Sequence, residues 1–233
     1  MSDATETTEV AANCLGVDVP HSPYLNETRI ERINGARYEG QEIKGALHVV
    51  QEGDHVLELG AGLGIVGSVV AKNCKPARMI SFEGNPSLIP HIEKLYAMNG
   101  LGDVISVRNQ VLISAKDRPQ SLPFHVHKSY LGSSLNPTAV RSKETVDVAT
   151  VAYDDVHKDL KPNVVLMDIE GGELEFLEHA NLDGVRAIVI EFHPGAYEVS
   201  GMRRCKTILR EAGFAPIEGL SSRTVWVAER TEK

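Results

Sequence analysis

The sequence predicts an α/β fold in which a mostly parallel sheet is covered by helices on both faces. Two runs, VVLMDIEGG (164–172) and AIVIEFHPG (187–195), each carry four continuous apolar residues that stop abruptly at acids and glycine. Continuous apolar runs mark strands buried on both faces, as in parallel sheets. HVLEL (55–59) and RMISFEG (78–84) also read as strands, and a helical apolar stripe follows each. Strand and helix therefore alternate.

Taken in order, residues 1–35 read as an N-terminal extension, partly flexible, with turn formers and scattered charge through residues 15–45. Ile43, Ala46, Leu47 and Val50 then fall at helical spacing. After the strand at 55–59, Ile65, Val66, Val69 and Val70 supply a helix face that Asn73 and Pro76 end. Behind the strand at 78–84, Pro86 suits a helix start, where its missing N–H costs little. Leu88, Ile89, Ile92, Leu95 and Tyr96 form the stripe of that helix, which Asn99–Gly100 closes. ELEFLEHA (173–180) is a short helix, and GMRRCKTILREAGF (201–214) is another, with Met202, Cys205, Ile208, Leu209 and Ala212 inward. FAPIEGL and TVWVAER close the chain as two strands. Residues 114–150 break the alternation with short β segments, so they read as an insertion positioned to shape an acceptor pocket.

Composition limits the function classes. The chain of 233 residues is 42% hydrophobic with a formal charge of −8, which gives no basic footprint for nucleic acid. RRCK (203–206), the one dense basic run, reads as a solvated helix face. The longest uncharged apolar run, 60–71, is too short to span a bilayer. The acidic start lacks a targeting pattern, so a cytoplasmic protein is expected. Cys14, Cys74 and Cys205 have no paired spacing and read as reduced thiols.

The stretch VLELGAGLG (56–64) is a cofactor loop with two parses. Counted from Gly62, Gly64 and Gly67 complete a dinucleotide pattern. Counted from Gly60, the loop Gly60, Ala61, Gly62, Gly64 begins where the strand stops and has the common spacing of S-adenosylmethionine (SAM) loops. Glycine inside a strand weakens pairing, so the second parse is preferred. Glu83, at the end of the next strand and followed by Gly84 and Asn85, can accept hydrogen bonds from both hydroxyls of an adenosine ribose. Glu58 can assist by binding the cofactor's amino group directly or through water.

VLELGAGLG, FEGNP, MDIEGGE (167–173) and IEFHPG (190–195) occur in the order and approximate spacing of the FkbM family of SAM-dependent methyltransferases, which the chain resembles over about residues 36–230. The resemblance implies one Rossmann-like class I methyltransferase domain (36–233), a seven-stranded sheet with its last strand antiparallel, and SAM as cofactor. It also implies an adenine site at the end of the third strand, at Asn109, Gln110 and Val111. This chain has Glu58 and Leu63 where the family usually has Asp and often Asn. Its ELGAG segment is also similar to protein-lysine methyltransferases, which keeps a protein acceptor open.

Asp168, Glu170, Glu191 and His193 lie at two strand ends that should converge beside the loop. His193 is the expected general base because its ordinary pKa is near neutral, with Glu170 or Glu191 orienting it or taking the proton itself. Asp168 can alternatively contact the methionine end of the cofactor. These groups could hold a divalent ion through oxygen ligands, but no diagnostic metal spacing is present, and a network without a resident metal is expected. Tyr38 and Glu39, His125 and His127, and Ser133 and Ser134 are candidate acceptor contacts. The expected activity is O-methylation of a small molecule such as a saccharide or secondary metabolite. N-methylation of an amine or protein side chain, and a SAM- or nucleotide-binding module without catalysis, stand as alternatives. The expected partner is the small-molecule acceptor, with neither nucleic acid nor membrane, in a monomer or homodimer.

Overall fold

A computed structural model describes residues 9–127 and 144–231. The described elements are, in order, β1 (Val10–Cys14), β2 (Val17–Pro20), α1 (Glu27–Asn34), α2 (Gly40–Val49), β3 (His55–Leu59), α3 (Ile65–Cys74), β4 (Arg78–Phe82), α4 (Ile89–Met98), β5 (Ile105–Arg108) and β6 (Val111–Ile113). There follow β7 (Ser121–Val126), β8 (Glu144–Ala152), α5 (Tyr153–Leu160), β9 (Val164–Met167), α6 (Glu173–His179), β10 (Ala187–Glu191), α7 (Pro194–Glu211), β11 (Phe214–Pro216) and β12 (Val225–Arg230).

The central sheet has seven strands in the order β11-β12-β10-β9-β3-β4-β5. Strands β10, β9, β3, β4 and β5 are mutually parallel, whereas β12 runs antiparallel to both its neighbours. From β3 the chain winds outward through β4 and β5, then returns to build β9 and β10 on the other side. The crevice between β3 and β9 is therefore the topological switch point, where ligands bind at the carboxyl ends of the strands.

Period-two alternation divides the apolar runs between two cores. Val56, Val164 and Val189 face α2, α3 and α4 on one side. Leu57, Val165 and Ile188 face α5, α6 and α7 on the other. Each continuous apolar run thus serves both layers. No described helix is long and apolar enough to cross a membrane, and Cys14, Cys74 and Cys205 are free thiols.

Three features go beyond the sequence-based reading. Residues 10–34 hold a hairpin, β1–β2, and helix α1; Cys14, Val17 and Ile33 enter the first core. Helix α5 follows β8 directly, burying Tyr153, Val156 and Leu160. Its stripe of three residues in eight lacks the length that makes helical periodicity legible. Helix α7 starts at Pro194, but Tyr197 and Glu198 leave helical geometry (φ −133° and 60°) before the long segment resumes. Outside the main sheet, β6, β8 and β7 form a three-stranded sheet in that order, with β6–β8 parallel and β7–β8 antiparallel.

Candidate active site

The loop after β3 is locked against both neighbouring strands. The N–H groups of Gly60 and Ala61 donate to the carbonyl of Phe82, at 2.9 and 3.1 Å. Gly60 has a φ of +85°, and a β-carbon there would overlap the Asp168 carbonyl. Only glycine lets β3 turn this close to β9. Gly64 caps α3 in a left-handed conformation.

Glu83 stands just beyond β4, with 7% of its surface exposed. Its Oε2 accepts from the Gly62 N–H at 2.8 Å and its Oε1 from the Asn85 N–H at 2.7 Å. Each oxygen keeps further acceptor capacity. Burial pushes the Glu83 carboxyl up to about 7, against the lowering effect of the Asn85, Gly62 and Gly84 N–H groups.

These residues border a cleft enclosing about 830 Å³ of free space, its open mouth included. On the β4–β5 flank its wall is apolar, from Phe82, Leu88, Val111, Leu112 and Phe124, with Gln110 beside them. On the β9 flank it is acidic, from Glu39, Asp168 and Glu170. The ring of Phe124, reaching over from β7, occupies the space that a side chain at residue 84 would need.

Several candidates hold the frame and do not line the cleft. The Glu58 carboxylate turns beneath the loop, where it accepts from the Ser81 hydroxyl and the Gly67 N–H. It borders a smaller cavity that shares Glu39, Leu59, Gly60 and Asp168 with the main cleft. Burial raises its pKa to about 7. The Asn109 amide donates to the carbonyls of Glu83 and Gly84, at 2.8 and 3.1 Å, so the group expected to read an adenine edge instead pins the turn. Asn85 is buried and accepts from the Ser87 N–H through Oδ1. Tyr38 is buried beside Glu39 and donates to its carboxylate. His125 pairs with the Thr145 hydroxyl at 2.9 Å on the β7–β8 hairpin. Neither His125 nor His127 borders the cleft. Ser133 and Ser134 lie outside the described residues.

The second group of acids converges as expected from two adjacent strand ends. His193 Nε2 lies 3.6 Å from Asp168 Oδ1 and 3.4 Å from Glu170 Oε2. Its Nδ1 lies 2.9 Å from Oε1 of Glu173. Glu173 is fully buried at the start of α6 and also accepts from the Gly171 N–H at 3.0 Å. The His193 N–H donates to the Tyr197 hydroxyl at 2.7 Å, at the residue where α7 departs from helical geometry.

Burial alone would lower the His193 pKa, but Glu173, with Asp168 and Glu170 behind it, lifts it to about 9. In its protonated form the His193 imidazole donates to these carboxylates and takes no proton. Burial also raises Asp168, helped by the nearby Glu39 charge. Glu191, the last residue of β10, is half-buried and likewise raised by burial. It borders an open groove with Glu39, Glu42, Arg32 and Arg37, and Glu39 connects that groove to the cleft.

Glu173 and Phe124 were not singled out by sequence reasoning. Glu173 closes the MDIEGGE block and opens the short helix at 173–180, and nothing in that pattern marks it as a partner of His193. The signal for Phe124 was the alternation in PFHVH, which sets Phe124 and Val126 opposite His125 and His127.

Residues 58–216 match the family described as the methyltransferase FkbM domain. Over 172 residues the chain is 27% identical to the hexuronic acid methyltransferase AglP of Haloferax volcanii, covering 71% of this chain and 67% of that relative. Similar solved structures include the ribosomal protein L11 methylase of Lactobacillus delbrueckii subsp. bulgaricus, with a TM-score of 0.49, 13% identity, and coverage of 83% of this chain and 78% of that chain. Another is the precorrin-6y C5,15-methyltransferase of Geobacter metallireducens GS-15, with a TM-score of 0.48, 12% identity, and coverage of 84% and 89%. The match spans the glycine loop, the FEGNP turn, the DIEGGE block and the strand end at Glu191 and His193, and on it the chain belongs to the FkbM methyltransferase family, an enzyme of the SAM-dependent class.

Proposed function

We propose that the protein transfers a methyl group from SAM to a hydroxyl of a small molecule, with a saccharide as the favoured acceptor class. The observation that carries the donor assignment is the Glu83 carboxylate, fixed by the N–H groups of Gly62 and Asn85 at the edge of the cleft. Both oxygens retain acceptor capacity, which suits the paired hydroxyls of a ribose. The apolar wall of Val111, Leu112, Leu88 and Phe124 suits a flat base, with Gln110 offering an amide to its edge. The acids at the opposite flank, Glu39 and Asp168, suit a cationic methionine end.

SAM supplies an electrophilic methyl group, whose bond to sulfur breaks as the acceptor oxygen forms its bond to carbon. The residues need to align the acceptor and take one proton. Alignment provides up to roughly 7–11 kcal/mol in favourable cases. Glu191 is the proposed proton acceptor. It faces the groove next to the cleft, and burial brings its pKa closer to that of a useful base. Asp168 and Glu170 border the adjoining cleft, and Glu173 holds His193 behind them.

The saccharide reading draws support from AglP, whose name records a hexuronic acid as its substrate. The test is transfer of labelled methyl from SAM to a panel of neutral sugars, uronic acids, phenols, amines and protein lysates, with mass analysis of the product. O-methylated saccharide is the expected product. Label recovered only on nitrogen would replace this reading with an N-methyltransferase, and tight binding of NAD without SAM would remove the donor assignment.

A further inference from the structure

We propose that Asp168, Glu170 and His193 bind a divalent first-row transition ion, with Mn²⁺ as the representative probe. The sequence offers no ligand spacing that suggests a metal, because Asp168 and Glu170 follow β9 whereas His193 follows β10. The fold brings their ligand atoms within 4.8 Å of one another. Ligand oxygens and nitrogens at roughly 2.0–2.3 Å from one ion span distances of this size.

The histidine is oriented for ligation. Glu173, fully buried, holds Nδ1 at 2.9 Å, so Nε2 is directed at the two carboxylates. A ligating histidine commonly gives its other N–H to a carboxylate in this way, which fixes the tautomer and strengthens the ligand. Glu173 is in this reading a positioning residue.

A second observation points to a missing ligand. Asp168 Oδ1, the oxygen nearest His193, is sealed from solvent and has no hydrogen-bond donor. Its separation of 3.6 Å from Nε2 exceeds hydrogen-bond length. A buried carboxylate oxygen without a partner is destabilising, and a cation between Asp168, Glu170 and His193 would satisfy it. Two carboxylates and one imidazole suit Mn²⁺, Fe²⁺ or Zn²⁺ better than an all-oxygen preference such as that of Ca²⁺. Three protein ligands leave coordination positions open.

Asp168 and Glu170 also border the donor cleft. A cation here would meet acceptor oxygens beside the methyl donor, favouring an acceptor with two adjacent oxygens. That consequence rests on the O-methyltransferase reading; the binding of the ion does not.

The test uses the full chain, stripped of metal with a chelator and dialysed. Mn²⁺ is titrated in the absence of SAM and followed by electron paramagnetic resonance and calorimetry. One ion per chain is expected, with affinity lowered at least 100-fold in His193→Ala and Asp168→Asn and about 10–100-fold in Glu173→Gln. Glu170→Gln, at a partly exposed position, should weaken binding without loss of fold, as checked by circular dichroism. The proposal is overturned if folded wild-type protein binds neither Mn²⁺ nor Zn²⁺ at millimolar concentration, or if binding survives His193→Ala and Glu170→Gln unchanged. SAM calorimetry on the same metal-free sample separates this outcome from failure of the donor reading.

Discussion

Nδ1 of His193 sits 2.9 Å from a Glu173 oxygen whose residue has no solvent exposure at all. A fully buried carboxylate is unfavourable unless paired, and here its partners are this imidazole and the Gly171 N–H. Glu173→Gln preserves the shape but removes the charge. Turnover should fall about tenfold or more, since a hydrogen bond to a charged group contributes about 1.5–3 kcal/mol, while the loss of stability in urea should be smaller than that of Glu173→Ala because the side-chain volume is kept. Glu173→Ala, which leaves a void as well, should lose about 3 kcal/mol of stability. Full turnover in Glu173→Gln would remove the positioning role.

Glu83 makes two separable contributions, to the loop and to the donor. Glu83→Ala should raise the SAM dissociation constant at least 10–100-fold, because charge-assisted hydrogen bonds of about 1.5–3 kcal/mol each are lost. The Gly62 and Asn85 N–H groups lose their acceptor in the same variant. Calorimetry with SAM checks the affinity, and an unchanged dissociation constant would move the ribose site elsewhere.

Phe124 tests whether the β6–β8–β7 sheet contributes to the donor site. Phe124→Ala should weaken SAM binding about 2–12-fold, the equivalent of 0.5–1.5 kcal/mol of ring contact. Phe124→Leu should recover part of the loss through apolar area. If neither variant alters SAM affinity but both alter the acceptor KM, the ring belongs to the acceptor side.

Gly60→Ala should be among the most damaging small substitutions. The added carbon meets the Asp168 carbonyl, and the φ of +85° is itself strained for alanine. A loss of about 3 kcal/mol or more is expected in a urea melt, together with loss of SAM binding. A variant as stable as the parent would mean that β3 and β9 part easily at the switch point.

The buried acids around the cofactor loop set a pH dependence with a definite sign. Burial raises Glu39 to about 8 and Glu58 and Glu83 to about 7, all from 4.5. The folded state thus holds protons that the unfolded chain releases. This contribution to stability is complete below about pH 4.5 and is lost as pH rises through about 7–8. The melting temperature of the ligand-free protein should therefore fall between pH 5 and pH 8. Affinity for SAM, which brings positive charge to these acids, should rise over the same interval. A melting temperature that climbs steadily from pH 5 to pH 8 would contradict the assigned burial.

The sequence by itself determined the alternation of strands and helices, because four-residue apolar runs such as VVLM and AIVI, stopped abruptly by acids and glycine, are too short for helices and fit strands buried on both faces. It also placed the glycine loop, Glu83, Asp168, Glu170, Glu191 and His193 at strand ends, since strands that stop abruptly at glycine and acids announce their carboxyl edge. Helix α5 and the β1–β2 hairpin stayed hidden, because their apolar periodicity is too short to stand out from loop.

Only the tertiary structure decided which way each strand-end side chain turns. Glu58 and Glu83 are both strand-end acids, yet one is drawn under the loop by Ser81 and the Gly67 N–H while the other is held at the cleft by Gly62 and Asn85. Asn109 and Gln110 are adjacent amides, of which the first is spent on the Glu83 and Gly84 carbonyls. Glu173 and His193 are twenty residues apart and belong to different elements. Their pairing, with the pKa shift that follows, arises from the packing of α6 against α7 over the ends of β9 and β10, and a long-range contact between single side chains leaves no periodic trace in a chain.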